Sequence, residues 1–142
     1  MLEIKTKPGS AMLLVILVLA LLFSLSAALV RISYNYLSSL DNLLVYQQAF
    51  YLAEAGLEQA KVEIASNNNW YTDLAWPKQD DVTWLTEKAY GQTTTLGQGS
   101  FKVVREQGKN RVYALGSPKK SLVILKLEFT CPPFKSICWQ EL

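Results

Sequence analysis

From Ser10 to Val30 the chain carries 21 residues without a formal charge, SAMLLVILVLALLFSLSAALV. A helix of that length spans roughly 30 Å, about the hydrocarbon thickness of a bilayer. The pattern then changes without a break: from Arg31 to Ser66 there is no proline, and the single glycine is Gly56. Leu43, Tyr46, Phe50, Ala53, Leu57, Ala60 and Ile64 recur at alternating steps of three and four, one apolar stripe on a helix. Asp41, Gln47, Gln48, Glu54, Glu58 and Lys61 lie on the opposite face and suit water. The first stop signal is SNNNW, where Ser66 to Asn69 are poor helix-interior residues. The pattern therefore predicts one helix from about Ser10 to about Ala65, near 80 Å long at roughly 1.5 Å per residue. Gly56 costs about 1 kcal/mol against alanine inside a helix, and with Ala53, Ala55 and Ala60 around it predicts close approach by another element.

The second half of the chain has a different period. Residues 70–99 are irregular, with Trp70, Trp76 and Trp84 among turn formers, and read as a loop region with one short helix, pinned by its tryptophans. From Ser100 the segments SFKVVRE, RVYALGS and PKKSLVILKLEFT are strand-like, joined by the short turns QGKN and GSPKK. In the last, Val123, Leu125, Leu127 and Phe129 alternate with Leu122, Ile124, Lys126 and Glu128, as a half-buried strand requires. A meander of about three antiparallel strands laid on the helix stripe buries both apolar faces at once. The expected fold class is α+β, a long N-terminal helix packed on a small antiparallel sheet.

Composition removes several function classes. The 142 residues carry a net charge of +2, and the 14 basic residues are scattered, which leaves no footprint for nucleic acid. Histidine is absent, so triads with a His base and His-ligated zinc are excluded. Glu54 and Glu58, one turn apart, are the best acid–base pair, but no nucleophile, phosphate loop or metal partner accompanies them. They read as a solvated helix face, and no enzyme activity or cofactor is expected. Asp73, Asp80 and Asp81 match no calcium-loop spacing and read as solvated loop charges, so no metal site is expected. Cys131 and Cys138 have six residues between them, unlike a CxxC redox or zinc motif. Outside the cytoplasm a disulfide is their expected state, with two free thiols as the alternative.

The apolar run admits three readings. A cleaved secretory signal would use Ser26 and Ala28 before the cut, but the run exceeds the usual core of roughly 7–15 residues and the cut would fall in mid-helix. The second reading is an ordinary single-span anchor. The third gives weight to KTKPGS, a basic leader with Gly9 immediately before the run. Lys5 and Lys7 favour a cytoplasmic N-terminus, whereas Arg31 opposes it.

The leader ending in Gly9, the apolar helix start, the extension AFYLAEAGLEQA and the strands RVYALGSPKKSLVILKLEF together resemble type IV pilin-like proteins. The resemblance is to their minor members, the PilX-like pilins and the K-type pseudopilins of type II secretion. It implies a leader of residues 1–9, a transmembrane half of the helix at 10–30, an amphipathic half at 31–66 and a globular head at 67–142. Gly9 and Ser10 would flank the prepilin peptidase cut, and Ser10 would become the N-methylated first residue. Leu14 stands where major pilins carry a glutamate, thought to pair with a neighbour's N-terminal amine, and its absence in K-type pseudopilins implies a tip or priming position. Implied partners are other pilins or pseudopilins through the N-terminal helix, the prepilin peptidase and the inner membrane. The implied location is the prokaryotic inner membrane, single pass, N-terminus inside and head outside, then an extracytoplasmic filament of a pilus, secretion or DNA-uptake machine. The alternative is a membrane-anchored envelope protein with an extracytoplasmic ligand-binding or sensor domain.

Overall fold

The computed structural model describes residues 8–74, 80–118, 121–131, 133 and 135–142. Of the tryptophans expected to pin the loop region, Trp76 lies outside these residues. The chain divides into two compact units, Met1–Asp41 and Asn42–Leu142. In the first, the described residues all belong to α1 (Pro8–Ser66), and none whose burial is described is covered by protein.

In the second unit α1 continues to Ser66 and ends where the SNNN run begins. Asn67 N–H still donates to Glu63 O at 2.9 Å, and then the Asn67 side chain accepts from Asn69 N–H at 3.0 Å, turning the chain out of the helix. Five strands follow among the described residues: β1 (Gln92–Leu96), β2 (Gly99–Val104), β3 (Arg111–Ser117), β4 (Val123–Thr130) and β5 (Lys135–Glu141). They form one antiparallel sheet in the order β1-β2-β3-β4-β5. The α+β arrangement of a long helix on an antiparallel sheet is thus as expected, but with five strands where the sequence indicates about three. β1 escapes notice because QTTTL is polar on both faces, and β5 because it follows two prolines and stays exposed along its whole length.

Ala49, Leu52, Ala53, Leu57, Ala60 and Ile64 of α1 pack on Phe101, Val103, Val112, Ala114, Val123, Leu125, Leu127 and Phe129. The expected stripe is corrected at its start. Leu43 and Tyr46 remain 51% and 41% exposed, and Phe50 is only partly buried, because burial by the sheet begins at Ala49. Two glycines set the closeness of the seam. A Cβ on Gly56 would stand 3.0 Å from Phe101 Cδ2 and 3.1 Å from Ala114 Cβ, the close approach its place in the helix predicts. Gly116 of β3 is tighter still, since a Cβ there would fall 2.0 Å from Ala49 O and 2.6 Å from Ala53 N.

The far face of the sheet is also covered, which corrects the half-buried reading of β4. Val104, Tyr113, Leu115 and Ile124 are buried under Leu85 and Ala89, with Trp84 packed alongside. Leu85 sits in a short helix of the loop region, a π-type turn at Trp84–Lys88. Trp70 packs on the helix-side core instead.

Candidate functional site

The most unusual surface of the molecule is the first part of α1. Met12, Leu13, Val15, Ile16 and Leu17 are between 55% and 69% exposed, and Phe23 is 76% exposed. Because apolar residues follow one another without polar interruption, every side of the helix is apolar, and no stripe and no opposite wet face exist. Protein normally covers such surface or lipid does. The helix is long and apolar enough to cross a membrane, and none of its most apolar window is buried. A signal sequence near the N-terminus has the same properties.

Gly9 and Ser10 both lie in the first turn of this helix. A Cβ on Gly9 would meet no atom within 4 Å, so nothing in the fold requires glycine there. Leu14 is 63% exposed and apolar, with no capacity to hold a charge. Arg31, Tyr34 and Tyr36 are exposed just beyond the last residue of the apolar run.

The head contains the candidate charged groups, and it distributes them. Glu54 and Glu58 are both exposed, and Glu58 accepts from Lys61 Nζ at 2.5 Å, one turn on. They border a groove of about 90 Å³ between α1 and β4–β5, floored by Phe50, Leu57, Leu125, Leu127 and Trp139. Trp139 stands 5.9 Å from the Phe50 ring, tilted by 59°.

The three aspartates are not solvated loop charges, and each is engaged separately. Asp73 is buried, accepting from the backbone N–H of Tyr90 at 2.9 Å and of Gly91 at 3.1 Å and from the Thr72 hydroxyl at 2.8 Å. Its backbone also bridges Glu106, so it fastens two loops to the sheet. Asp81 accepts from Trp84 N–H at 3.0 Å and starts the short helix. Asp80, at a left-handed φ of 54°, accepts from the Tyr113 hydroxyl and from Lys126 Nζ at 3.0 Å. Burial alone would raise the Asp80 pKa, but the Tyr113 and Lys126 hydrogen bonds and the Lys126 and Arg111 charges outweigh it and hold it below the usual range. Burial, followed by the Asp80 contact, drives the Tyr113 hydroxyl well above its ordinary value. Lys126 is opposed by burial too, yet Glu128 and Asp80 keep it above the ordinary lysine value.

Sequence reasoning missed two anchoring groups. Lys126 alternates with apolar residues and looks solvent-facing, but it is buried beneath Asp80 and Glu128. Arg105 is 3% exposed and donates to Trp70 O at 2.5 Å, Asn68 O at 3.0 Å and Lys109 O at 3.4 Å, over the Phe129 ring at 5.0 Å. Its position at the end of an apolar strand was the available signal.

The expected bond between Cys131 and Cys138 is corrected, since both thiols are free. Cys138 stands opposite Glu128, three positions before Cys131. At about 3.3 Å per residue that separates the two cysteines by roughly 10 Å, whereas a disulfide requires Cα atoms within about 7 Å. Cys131 Sγ instead lies 3.1 Å from Asn68 Oδ1.

These side chains are chiefly paired with one another, and their chemistry is that of fastening loops to a sheet. Among the described residues, the longest continuous exposed apolar surface is the first part of α1. No protein-family model, no curated protein and no solved structure matches this chain.

Proposed function

We propose that the chain is a minor pilin or pseudopilin, a non-catalytic subunit anchored by α1 in the inner membrane and transferred from there into a filament. One observation carries the reading. A single helix runs from Pro8 to Ser66, apolar on all sides in its first part and covering an antiparallel sheet in its second. A helix with internally satisfied backbone and apolar sides is stable in lipid, and equally stable among like helices. Anchor and assembly surface are then one element, and release from the bilayer needs no refolding. The distribution of charge in the head, with its buried groups paired internally, supports a structural role. Leu14 supports a position that does not need to neutralise a neighbour's amine, at the tip or in priming.

The mature N-terminus tests this reading. Mass spectrometry of the protein from membranes should find N-methylserine at Ser10 when a prepilin peptidase is present. Gly9→Val should abolish processing while leaving the head folded, because no neighbour crowds Gly9. An intact Met1, or a start near Leu29, would refute it and favour respectively a plain anchor or a secretory signal.

A further inference from the structure

We propose that Arg31, Tyr34 and Tyr36 form a collar that seats α1 at the phosphate and carbonyl layer of a phospholipid bilayer. The inference rests on the membrane-anchoring part of the reading above and adds where the membrane ends. The uncharged run stops at Val30, and Arg31 is the first charge after it. Tyr34 is 73% and Tyr36 64% exposed, and Arg31 is exposed as well.

At roughly 100° per residue the two tyrosines project to nearly opposite sides of the helix, with Arg31 about 60° from Tyr34. A single partner helix covers one side of a helix, whereas a ring of amphipathic groups suits a medium that surrounds it, as the bilayer does before assembly. Each tyrosine offers an apolar ring and a hydroxyl, the combination favoured where hydrocarbon gives way to headgroups. A guanidinium at the same level reaches a lipid phosphate with paired N–H donors while its stem lies along the acyl chains. Beyond the collar, Ser38, Ser39, Asp41 and Asn42 interrupt Leu37 and Leu40, so the apolar surface is no longer continuous. The collar also accounts for a positive charge on the outer side of the span, because Arg31 is held there by phosphate.

Nitroxide depth measurements on the full-length chain test this. In a background of Cys131→Ser and Cys138→Ser, single labels are attached through Ala20→Cys, Ser33→Cys or Ser38→Cys. The protein is placed in vesicles of phosphatidylcholine and phosphatidylglycerol, and depth is read from relative collision with oxygen and a water-soluble nickel chelate. The label at 20 should lie deepest, the label at 33 at headgroup depth and the label at 38 in water. Combining Arg31→Ala, Tyr34→Ala and Tyr36→Ala should move the label at 33 inward by about 3 Å, the rise of two helical residues. If the label at 20 is buried but that at 33 keeps its depth in the triple variant, the collar is refuted and the anchor stands. A label at 38 as deep as that at 33 refutes the collar equally. A label at 20 in water removes the anchor, and the collar with it.

Discussion

Gly116→Ala is the substitution with the largest expected effect per atom added. The new methyl group would fall 2.0 Å from Ala49 O and 2.6 Å from Ala53 N, backbone atoms of α1 that no rotamer change can move. Bringing the nearer contact out to about 3.0 Å, the shortest a Cβ tolerates, lifts the helix from β3 by about 1 Å. A gap of that size forfeits up to about half of the dispersion energy of the contacts it opens. Leu52, Ala53, Leu57 and the strand residues beneath them all lie on this seam. Overpacking typically costs about 1–3 kcal/mol, and with backbone on both sides the cost should be near the upper figure, about 3 kcal/mol. For the compact unit Asn42–Leu142, of about 100 residues, that corresponds to a fall in Tm of about 15 °C. Thermal unfolding of the full chain in detergent, followed by near-ultraviolet circular dichroism, measures it, with Gly9→Ala as a control that meets no neighbour. A Gly116→Ala protein melting within about 2 °C of the original would show that the helix does not rest on β3 as described.

Other substitutions and conditions have smaller but definite outcomes. Gly56→Ala should be nearly neutral in the same assay, because a helix-propensity gain of about 1 kcal/mol is offset by crowding against Phe101 and Ala114; a loss as large as that of Gly116→Ala would refute this balance. Lys126→Met should cost about 1–2 kcal/mol at neutral pH, less than a fully buried pair, because the Asp80 and Glu128 side chains are 34% and 44% exposed. Asp80 has a lowered pKa, so its contribution is present above an ordinary carboxylate pKa of about 3.9 and disappears as pH falls through the folded value. Lys126 has a raised pKa, so its contribution is complete below about 10.4 and disappears as pH rises through the folded value. The gap between Lys126→Met and the original protein should therefore be widest in pH titrations of urea unfolding between these limits. Both thiols should react with a maleimide in the native protein without prior reduction, Cys138 faster than half-buried Cys131, and a mass lower by two hydrogens would refute the free-thiol assignment.

The long helix was legible because two signals agreed along it, the absence of proline from Ser10 to Ser66 and the apolar period after Leu43. Its packed length was less legible. A stripe drawn from sequence has no means of telling where the covering sheet stops, so Leu43 and Tyr46 fit the pattern although the sheet covers neither. β4 was visible from its alternation, yet the same alternation concealed Lys126, which is buried by two carboxylates 46 and 2 residues away in the chain. A charge in a period-two strand looks solvent-facing until its partners are placed, and Asp80 comes from a loop with no period. β1 and β5 were missed for the opposite reason. Edge strands need an apolar side only where something lies against it, and QTTTL and KSICWQE have little that does. The cysteines were misjudged because separation along the chain says nothing of register, which here sets Cys138 beside Glu128.

The order of the strands has a consequence for how the head is made. In a pure meander each strand pairs with the one synthesised just before it, so the sheet grows by short loop closures with little entropic delay. The packing of α1 on the sheet closes much longer loops, and at its far end the Tyr46 hydroxyl donates to both oxygens of Glu141 at 2.8 Å across 95 residues. That bond forms only after nearly the whole chain has been synthesised. A chain stalled before its last strand would carry a nearly finished sheet whose β4 edge is bare and whose helix is unfastened at Tyr46, an open edge that invites pairing with another chain.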